Sequence, residues 1–233
     1  MTPLRSRAAE HHFCNAFYRN LQCRHASRPE FRRRGCAGPA GNVASVSEWL
    51  RRKFHRVGRF DRALTASVAR LPASGIDRGM RGVTRSADHG GLWLAVAAVL
   101  ASREGAPRRA AARGIVALGA ASFVANVVLK SLVARRRPAA ELLPPQRRLM
   151  RRPTSSSFPS GHSTSAIAFT AAVALESPRA AVAVLPLAAT VAYSRVHTGV
   201  HWGSDVLAGA AVGAGVAYVL RRWSVPSIAA TRS

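Results

Sequence analysis

The segment Gly114–Val133 constrains the fold of this chain most, because it is long and apolar enough to cross a bilayer by itself. A transmembrane helix needs roughly 20 consecutive apolar residues. Lys130 is the one charged residue within the segment, and a cation at such a position usually faces a polar cavity. It can alternatively extend from the helix end to the membrane surface. The segment therefore predicts a membrane-spanning helix whose charged end is either functional or interfacial.

Four shorter apolar stretches accompany this segment: Leu92–Ala101, Ser163–Leu175, Ala180–Tyr193 and Val206–Leu220. Their lengths are also typical of buried helices in a soluble bundle. Neighbouring small residues lengthen them, and Gly209 and Gly213 have the spacing used for close helix contact in membranes. Arg221, Arg222 and Trp223 then follow as an interfacial stop. We therefore expect an all-α integral-membrane helical bundle in the cell membrane, with about five to six transmembrane helices.

The formal net charge of +25 comes from 33 Arg and only two Lys, Lys53 and Lys130, against 10 acidic residues. A strongly basic chain binds either nucleic acid or an anionic membrane surface. Here the Arg residues cluster in the gaps between apolar stretches, and no groove-reading motif accompanies them. The pattern predicts membrane lipids as partners and no nucleic acid.

Residues 1–45 are polar, Arg-rich and aperiodic, which predicts a disordered segment. No apolar core of a signal peptide follows the early Arg residues. Cys14, Cys23 and Cys36 are odd in number and lack metal-ligand spacing. We therefore expect neither a zinc site nor a structural disulfide here.

Residues 46–88 predict an amphipathic, interfacial helical region. Ser47 can cap a helix whose apolar residues recur at helical spacing between basic ones. These apolar residues are Trp49, Leu50, Phe54, Val57, Phe60, Leu64, Val68 and Leu71. A basic helix with one apolar face suits a membrane interface, and a surface helix packed on a soluble core is the alternative. A membrane-embedded domain at 89–223 and a polar tail at 224–233 complete the predicted organisation.

The first polar cluster is Lys130, followed seven residues later by Arg137 and Pro138. Pro138 discourages further helix just before it, so both cations lie near a helix end. Two such cations can clamp a phosphoryl group, Arg through two hydrogen bonds and Lys as a point charge. The adjacent Arg135 and Arg136 also allow the cluster to be an ordinary basic flank.

The second cluster is Pro159, Ser160, Gly161 and His162, at the start of the third apolar stretch. Ser160 can cap the helix, and Gly161 allows the backbone to approach a ligand closely. Free backbone N–H groups at a helix start bind anions, and His162 would stand beside such an anion as a general acid. A Ser cap with an incidental His is the simpler alternative.

The third cluster contains Ser194 and Arg195, then His201, then Asp205. On a helix, His201 and Asp205 would share one face. A carboxylate there can hold one imidazole N–H and leave the other nitrogen free to attack phosphorus. A surface His–Asp pair is the alternative. We assign no catalytic role to His197, which lies too close to Arg195 to share this geometry.

In order and spacing, the three clusters K-x6-R-P, P-S-G-H and S-R-x5-H-x3-D resemble the motifs of the type 2 phosphatidic acid phosphatase superfamily. All three motifs are complete, from Lys130 to Asp205. The resemblance implies a metal-independent lipid phosphatase without a cofactor, acting on a phosphatidate-like or polyprenyl-phosphate-like monoester or diphosphate through a phosphohistidine. It implies that His201 is the nucleophile, that Asp205 orients it and that His162 protonates the leaving alkoxide. The phosphoryl oxygens would be bound by Lys130, Arg137, Ser160, Gly161 and Arg195.

Several alternatives accompany this interpretation. A vanadium haloperoxidase resembles the same family but is a large soluble protein. A lipid phosphotransferase would use the same groups. A non-catalytic basic membrane-surface protein would need neither histidine nor Asp205. Two indications disagree on orientation: the Arg-dense loop 135–152 predicts a cytoplasmic cavity, whereas the resemblance predicts an extracytoplasmic one, which we favour.

Overall fold

The computed structural model describes residues 41–72 and 75–222, with side chains from residue 55 onward. Over these residues the chain is helical and contains no strand. The helices are α1 Gly41–Arg70, α2 Gly75–Ser86, α3 Gly91–Ala101, α4 Ala106–Leu132, α5 Gly161–Glu176, α6 Pro178–His197 and α7 Gly203–Val219. The predicted all-α fold is confirmed, and each predicted apolar stretch lies within or closely overlaps one of α3 to α7.

The N-terminal helix differs from its prediction at one end. α1 begins at Gly41 and not at Ser47, so Ser47 lies inside the helix and does not cap it. No Pro interrupts residues 41–47, which allows the helix to start earlier. Most of the segment predicted to be disordered, its three cysteines and the predicted polar tail lie outside the described residues.

Helix α5 is the centre of the bundle, because it packs against α4, α6 and α7. Its Phe169 is fully buried, and the ring lies 5.3 Å from that of Trp93 on α3. Gly114 on α4 makes this packing possible, since a Cβ there would lie 2.8 Å from the Phe169 ring. The core is otherwise built largely from Ala and Val, which lets the helix backbones approach closely.

The predicted glycine contact lies between α7 and α5. A Cβ at Gly209 would come within 2.6 Å of the Ser160 carbonyl oxygen. One at Gly213 would collide with the Thr164 carbonyl oxygen and lie 2.9 Å from the Ala168 nitrogen. Only glycine permits this separation, so the two helices touch through their backbones, as the small-residue spacing predicts.

Within residues 41–72 and 75–222, three helices are long and apolar enough to cross a membrane: α4, α6, and α7 together with its final turn, Gly203–Arg222. Helix α5, with 16 residues, and α3, with 11, are shorter. Ser160 caps the start of α5, and Pro178 already opens α6 two residues after α5 ends. The predicted count of five to six spans stays a prediction.

Candidate active site

A cavity of about 360 Å³ lies where the end of α4, the start of α5 and the end of α6 meet. Residues from all three polar clusters line it: Lys130, Arg137, Gly161, His162, Arg195 and His201. The remaining two candidates, Ser160 and Asp205, are fully buried and do not line it. The fold therefore brings together residues that are up to 71 positions apart in the sequence.

His201 is held in one tautomer by its two neighbours. Its Nδ1 lies 2.7 Å from the Ser157 carbonyl oxygen, and its Nε2 lies 3.2 Å from Nη1 of Arg137. A carbonyl oxygen only accepts hydrogen bonds and a guanidinium only donates them. Nδ1 therefore carries the proton, and Nε2 is unprotonated and accepts from Arg137 beside the cavity.

Burial also favours the neutral form of this imidazole. The pKa of His201 is lowered to about 4, first because a charged ring would lose its hydration on burial, and also because the cations Arg195 and Arg137 lie nearby. The Asp205 carboxylate opposes this shift without cancelling it. His201 is therefore an unprotonated base near neutral pH, as a nitrogen nucleophile must be.

Asp205 supports His201 differently from the sequence prediction. His201 precedes α7 and does not share a helical face with Asp205, and its Nδ1 lies 3.7 Å from Oδ2. The Ser157 carbonyl oxygen takes the imidazole N–H instead. Asp205 Oδ2 accepts hydrogen bonds from the Ser157 hydroxyl and, at 2.9 Å, from the Trp202 backbone N–H. Asp205 thus fixes the segment that holds His201 and supplies a nearby negative charge.

The cations of the first cluster are anchored by neutral acceptors. Arg137 donates to the carbonyl oxygens of Val200, Ser155 and Ser156 at 2.6–3.2 Å. Burial lowers the pKa of Arg137, and the Asp205 carboxylate partly opposes this. Lys130 Nζ donates to Asn126 Oδ1 at 2.7 Å, one turn earlier in the π-helical turn Val124–Leu129. Neither side chain has a carboxylate partner within ion-pair distance in the described part of the chain, so both can attract an anion.

Arg195 is the least satisfied of the cations. It is 2 % exposed, and its Nε and Nη1 are buried without a hydrogen-bond partner among the described residues. A buried guanidinium left in this way is costly. Because it lines the cavity, an anion bound there would complete its hydrogen bonds.

The second cluster places a helix start at the cavity. Ser160 caps α5: its Oγ accepts from the Ser163 N–H at 3.4 Å and lies 2.9 Å from Ser163 Oγ. Its backbone N–H donates to the Asp205 carbonyl oxygen. Gly161 lines the cavity, and a Cβ there would lie 2.7 Å from Asn126 Oδ1. The geometry makes Ser160 a structural cap in this conformation, whereas Gly161 and His162 face the cavity.

Comparison with known proteins agrees with this arrangement. Residues 110–228, about half of the chain, match the profile of the PAP2 superfamily. A decaprenylphosphoryl-5-phosphoribose phosphatase of Mycobacterium tuberculosis is 36 % identical over 172 residues, which cover 70 % of this chain and 91 % of that protein. This chain belongs to the PAP2 superfamily. It is therefore a phosphoric ester hydrolase, and its three described helices of membrane-spanning length indicate a membrane protein.

Other PAP2 relatives match over different extents. A lipid A 1-phosphatase of Rhizobium johnstonii is 53 % identical over 58 residues, 25 % of this chain and 24 % of that protein. The fold resembles a PAP2-type phosphatidylglycerolphosphate phosphatase from Bacillus subtilis, with a TM-score of 0.55 and 22 % identity over 71 % of this chain and 85 % of that one. Aquifex aeolicus LpxE gives a TM-score of 0.55 and 21 % identity over 67 % and 92 %. At this identity the two structures establish the fold alone.

The structure adds residues that the PAP2 motifs do not contain. Arg135 donates to Asp205 Oδ1 at 2.5 Å and to Asp61 Oδ2 on α1 at 2.6 Å. Asp88 Oδ1 lies 2.8 Å from Nε2 of His162. The sequence marks Arg135 only as part of a basic run, and the two aspartates lie far from the motifs they contact. For Asp61 and Asp88, the only signal in the sequence was an acidic residue standing among basic ones.

His197, to which the sequence assigned no catalytic role, lies in a buried contact with Asp77. Its Nε2 lies 2.8 Å from Asp77 Oδ1, and Asp77 also accepts from Arg147 Nε at 2.9 Å. Both contacts are buried and lie away from the cavity lining of this PAP2 protein.

Proposed function

We propose that this protein is a lipid phosphate phosphatase whose nucleophile is Nε2 of His201. The observation that carries the proposal is the meeting, in one cavity, of an unprotonated imidazole nitrogen and the buried guanidinium of Arg195, which has two unpartnered donor atoms. A phosphate monoester supplies both missing partners: phosphorus as electrophile and anionic oxygens as acceptors.

In the first chemical step, Nε2 of His201 attacks phosphorus and forms an N–P bond while the bond to the lipid oxygen breaks. The leaving oxygen takes a proton from His162, which lines the same cavity. As positive charge develops on the His201 ring, its Nδ1–H remains on the Ser157 carbonyl oxygen, and the Asp205 carboxylate lies 3.7 Å from Nδ1.

In the second step, water attacks the phosphohistidine and the N–P bond breaks. The neutral His162 accepts a proton from this water, which returns both histidines to their starting forms and releases inorganic phosphate. One residue thus serves as acid and then as base, as microscopic reversibility of the two transfers requires.

Charge stabilisation in both steps comes from side chains. Lys130, Arg137 and Arg195 surround the position of the phosphoryl oxygens, and the start of α5 adds backbone donors near Gly161. In the described part of the chain, no group of three His, Cys, Asp or Glu lies close enough to hold a metal ion. We therefore propose that the reaction runs without a metal.

The substrate we favour is a prenyl-linked phosphate monoester, with a phosphatidate-like monoester or a diphosphate as the other members of the class. Two curated relatives at 36 % identity are decaprenylphosphoryl-5-phosphoribose phosphatases. A cavity of about 360 Å³ lies in the range of roughly 300–1,000 Å³ typical of small-molecule sites, so it accommodates more than a phosphate group. Trp93 and Leu118 give one side of it an apolar wall for the start of a lipid chain.

The test is phosphate release by the detergent-purified protein from a panel of polyprenyl phosphates, phosphoribosyl polyprenyl phosphates and phosphatidic acids. We expect release from at least one prenyl-linked monoester, and none from the His201→Ala variant if it is folded. Acid-labile, base-stable label from ³²P-substrate should accumulate in the parent protein and be absent from that variant. Substantial turnover by His201→Ala would contradict the assignment. Transfer of phosphate to a lipid alcohol in place of water would indicate a phosphotransferase.

We further propose that the cavity opens on the extracytoplasmic side. Met150 is 91 % exposed in the loop that follows the first cluster. In a variant with Cys14, Cys23 and Cys36 replaced by Ser, Met150→Cys should react with a membrane-impermeant maleimide in intact cells or spheroplasts. Labelling only after lysis would place the cavity on the cytoplasmic side.

A further inference from the structure

The contact between Asp88 and His162 joins two segments that no PAP2 motif connects. Asp88 Oδ1 lies 2.8 Å from Nε2 of His162, although the residues are 74 positions apart. Asp88 precedes the matched segment 110–228. His162 Nδ1 has no hydrogen-bond partner among the described residues. The imidazole is therefore anchored through one nitrogen only.

The backbone around Asp88 is shaped to make this contact. The 3-10 turn Asp88–Gly90 separates α2 from α3, and two consecutive residues there adopt the left-handed conformation: His89 with φ 56° and Gly90 with φ 79°. A non-glycine residue at positive φ is uncommon and persists where its surroundings hold it. His89 and Gly90 line the cavity directly. The turn therefore bends at the cavity wall with Asp88 against His162.

A carboxylate on one imidazole nitrogen has two chemical effects. It fixes the ring orientation and the tautomer, because the carboxylate accepts only from N–H. It also stabilises the imidazolium form, which is the form that donates a proton. The His162 side chain, which lines the cavity, is 21 % exposed, and that of Asp88 is 44 % exposed.

We propose that Asp88 is a positioning residue for the general acid of this enzyme: it holds Nε2–H of His162 and leaves Nδ1 as the atom that exchanges the proton. The proposal rests on the proposed function, because it assigns a partner to the acid of that reaction. When the lipid oxygen leaves, Nδ1–H transfers its proton to it, and the ring becomes neutral with Nε2–H still on Asp88. In hydrolysis of the phosphohistidine, Nδ1 takes the proton of the attacking water.

The leaving group distinguishes this role from a structural one. A lipid alkoxide is a poor leaving group and needs the proton, whereas p-nitrophenolate hardly does. Asp88→Ala should therefore lower kcat/KM for a lipid phosphate by about 10- to 100-fold, and that for p-nitrophenyl phosphate by less than about threefold. Asp88→Glu, which keeps the carboxylate, should recover part of the lipid activity. A variant that merely disturbs the fold would lower both activities together and would also lower the Tm.

A double-mutant cycle gives the second, independent test on the lipid substrate alone. If Asp88 acts through His162, adding Asp88→Ala to His162→Ala should cause no further loss, because the residue it serves is gone. Additive losses in the double variant, or equal losses on both substrates, would overturn the proposal. Failure of the proposed function would look different: the parent protein would release no phosphate from any lipid phosphate. An active parent with an unaffected Asp88→Ala variant would refute the role of Asp88 alone.

Discussion

Replacing Arg195 by Met should weaken catalysis while leaving the protein as stable as before, or more so. Arg195 is 2 % exposed, and its Nε and Nη1 have no partner among the described residues. In the free enzyme the burial of these unpartnered atoms therefore destabilises the protein. When a phosphoryl group binds, they donate charged hydrogen bonds to its oxygens. Met has a similar length and no charge, so it removes both effects while filling most of the same volume.

The size of each effect follows from the two unpartnered atoms. A hydrogen bond to a charged group contributes about 1.5–3 kcal/mol, so losing two costs about 3–6 kcal/mol of transition-state stabilisation. At about 1.4 kcal/mol for each factor of ten, kcat/KM should fall by about 10²- to 10⁴-fold. Replacing buried charged groups by apolar side chains of similar volume is often neutral or stabilising by about 1–4 kcal/mol, and each kcal/mol corresponds to about 2–4 °C in Tm for a chain of this size.

The assay pairs phosphate release from a prenyl-linked phosphate with thermal unfolding in the same detergent. The matched control is Arg113→Met, because Arg113 is also buried but is fully engaged at the far end of α5. It donates to Glu176 Oε1 at 2.9 Å and to the carbonyl oxygens of Leu220 and Arg221. This control should lower the Tm and leave kcat/KM nearly unchanged.

Vanadate offers a third measurement on the same variants. It resembles the transferred phosphoryl group, so it should raise the Tm of the parent protein by binding only the folded state. That increase should disappear in Arg195→Met and persist in Arg113→Met. A decrease in kcat/KM of less than tenfold for Arg195→Met, or a Tm well below that of the parent, would refute the reasoning.

Three further predictions concern charge, pH and packing. Activity should survive excess EDTA, because Lys130 and the two cavity arginines supply the charge that a metal would otherwise provide; loss restored by Mg²⁺ would contradict this. The pKa of His201 in the folded protein is about 4, which is below the ordinary value of 6.5. Between these two pH values the unfolded state therefore binds more protons than the folded state. The free energy of unfolding should fall by up to about 3 kcal/mol as the pH drops from 6.5 to 4. His201→Asn should lack that part of the decrease in denaturant titrations at the two pH values, and an identical decrease in both proteins would argue against a neutral buried imidazole. Gly213→Ala should destabilise the protein by about 1–3 kcal/mol, because the new Cβ would collide with α5. The control Gly119→Ala should be neutral or slightly stabilising, because nothing lies within 4 Å of its Cβ. Similar Tm values for the two variants would contradict the observed helix contact.

The sequence was sufficient for α3 to α7 and for most of the ionisable residues that line the cavity, because both depend on local patterns. Apolar stretches bounded by Arg, Pro and Gly locate α3 and α5 to α7 within four residues at each end, whereas α4 begins eight residues before its predicted stretch. Motif spacing identifies Lys130, Arg137, His162, Arg195 and His201, all of which line the cavity. The starts and ends of these helices are marked by residues such as Pro178, whose local effect does not depend on the rest of the fold.

Tertiary contacts explain what the sequence could not predict. The spacing of His201 and Asp205 suggested a shared helical face, but α7 begins at Gly203, after the histidine. The acceptor for His201 is a main-chain carbonyl oxygen at Ser157, and a backbone group carries no sequence signature. No motif includes Asp88, because its role depends on the turn Asp88–Gly90, which brings it against His162 on α5.

The hydrogen bonds of Asp61 extend the active-site support to residues upstream of the superfamily motifs. Asp61 on α1 is 1 % exposed; its carboxylate accepts from the Ser204 backbone N–H at 2.8 Å and from Arg135, which also holds Asp205. Both this carboxylate and that of Asp88 precede the segment 110–228 that identifies the superfamily. A fragment cut at that boundary would keep every motif and lose two anions that brace them. Comparisons among relatives should therefore align the helices upstream of the motifs as well, since differences in acid strength and loop geometry between enzymes with identical motifs can originate there.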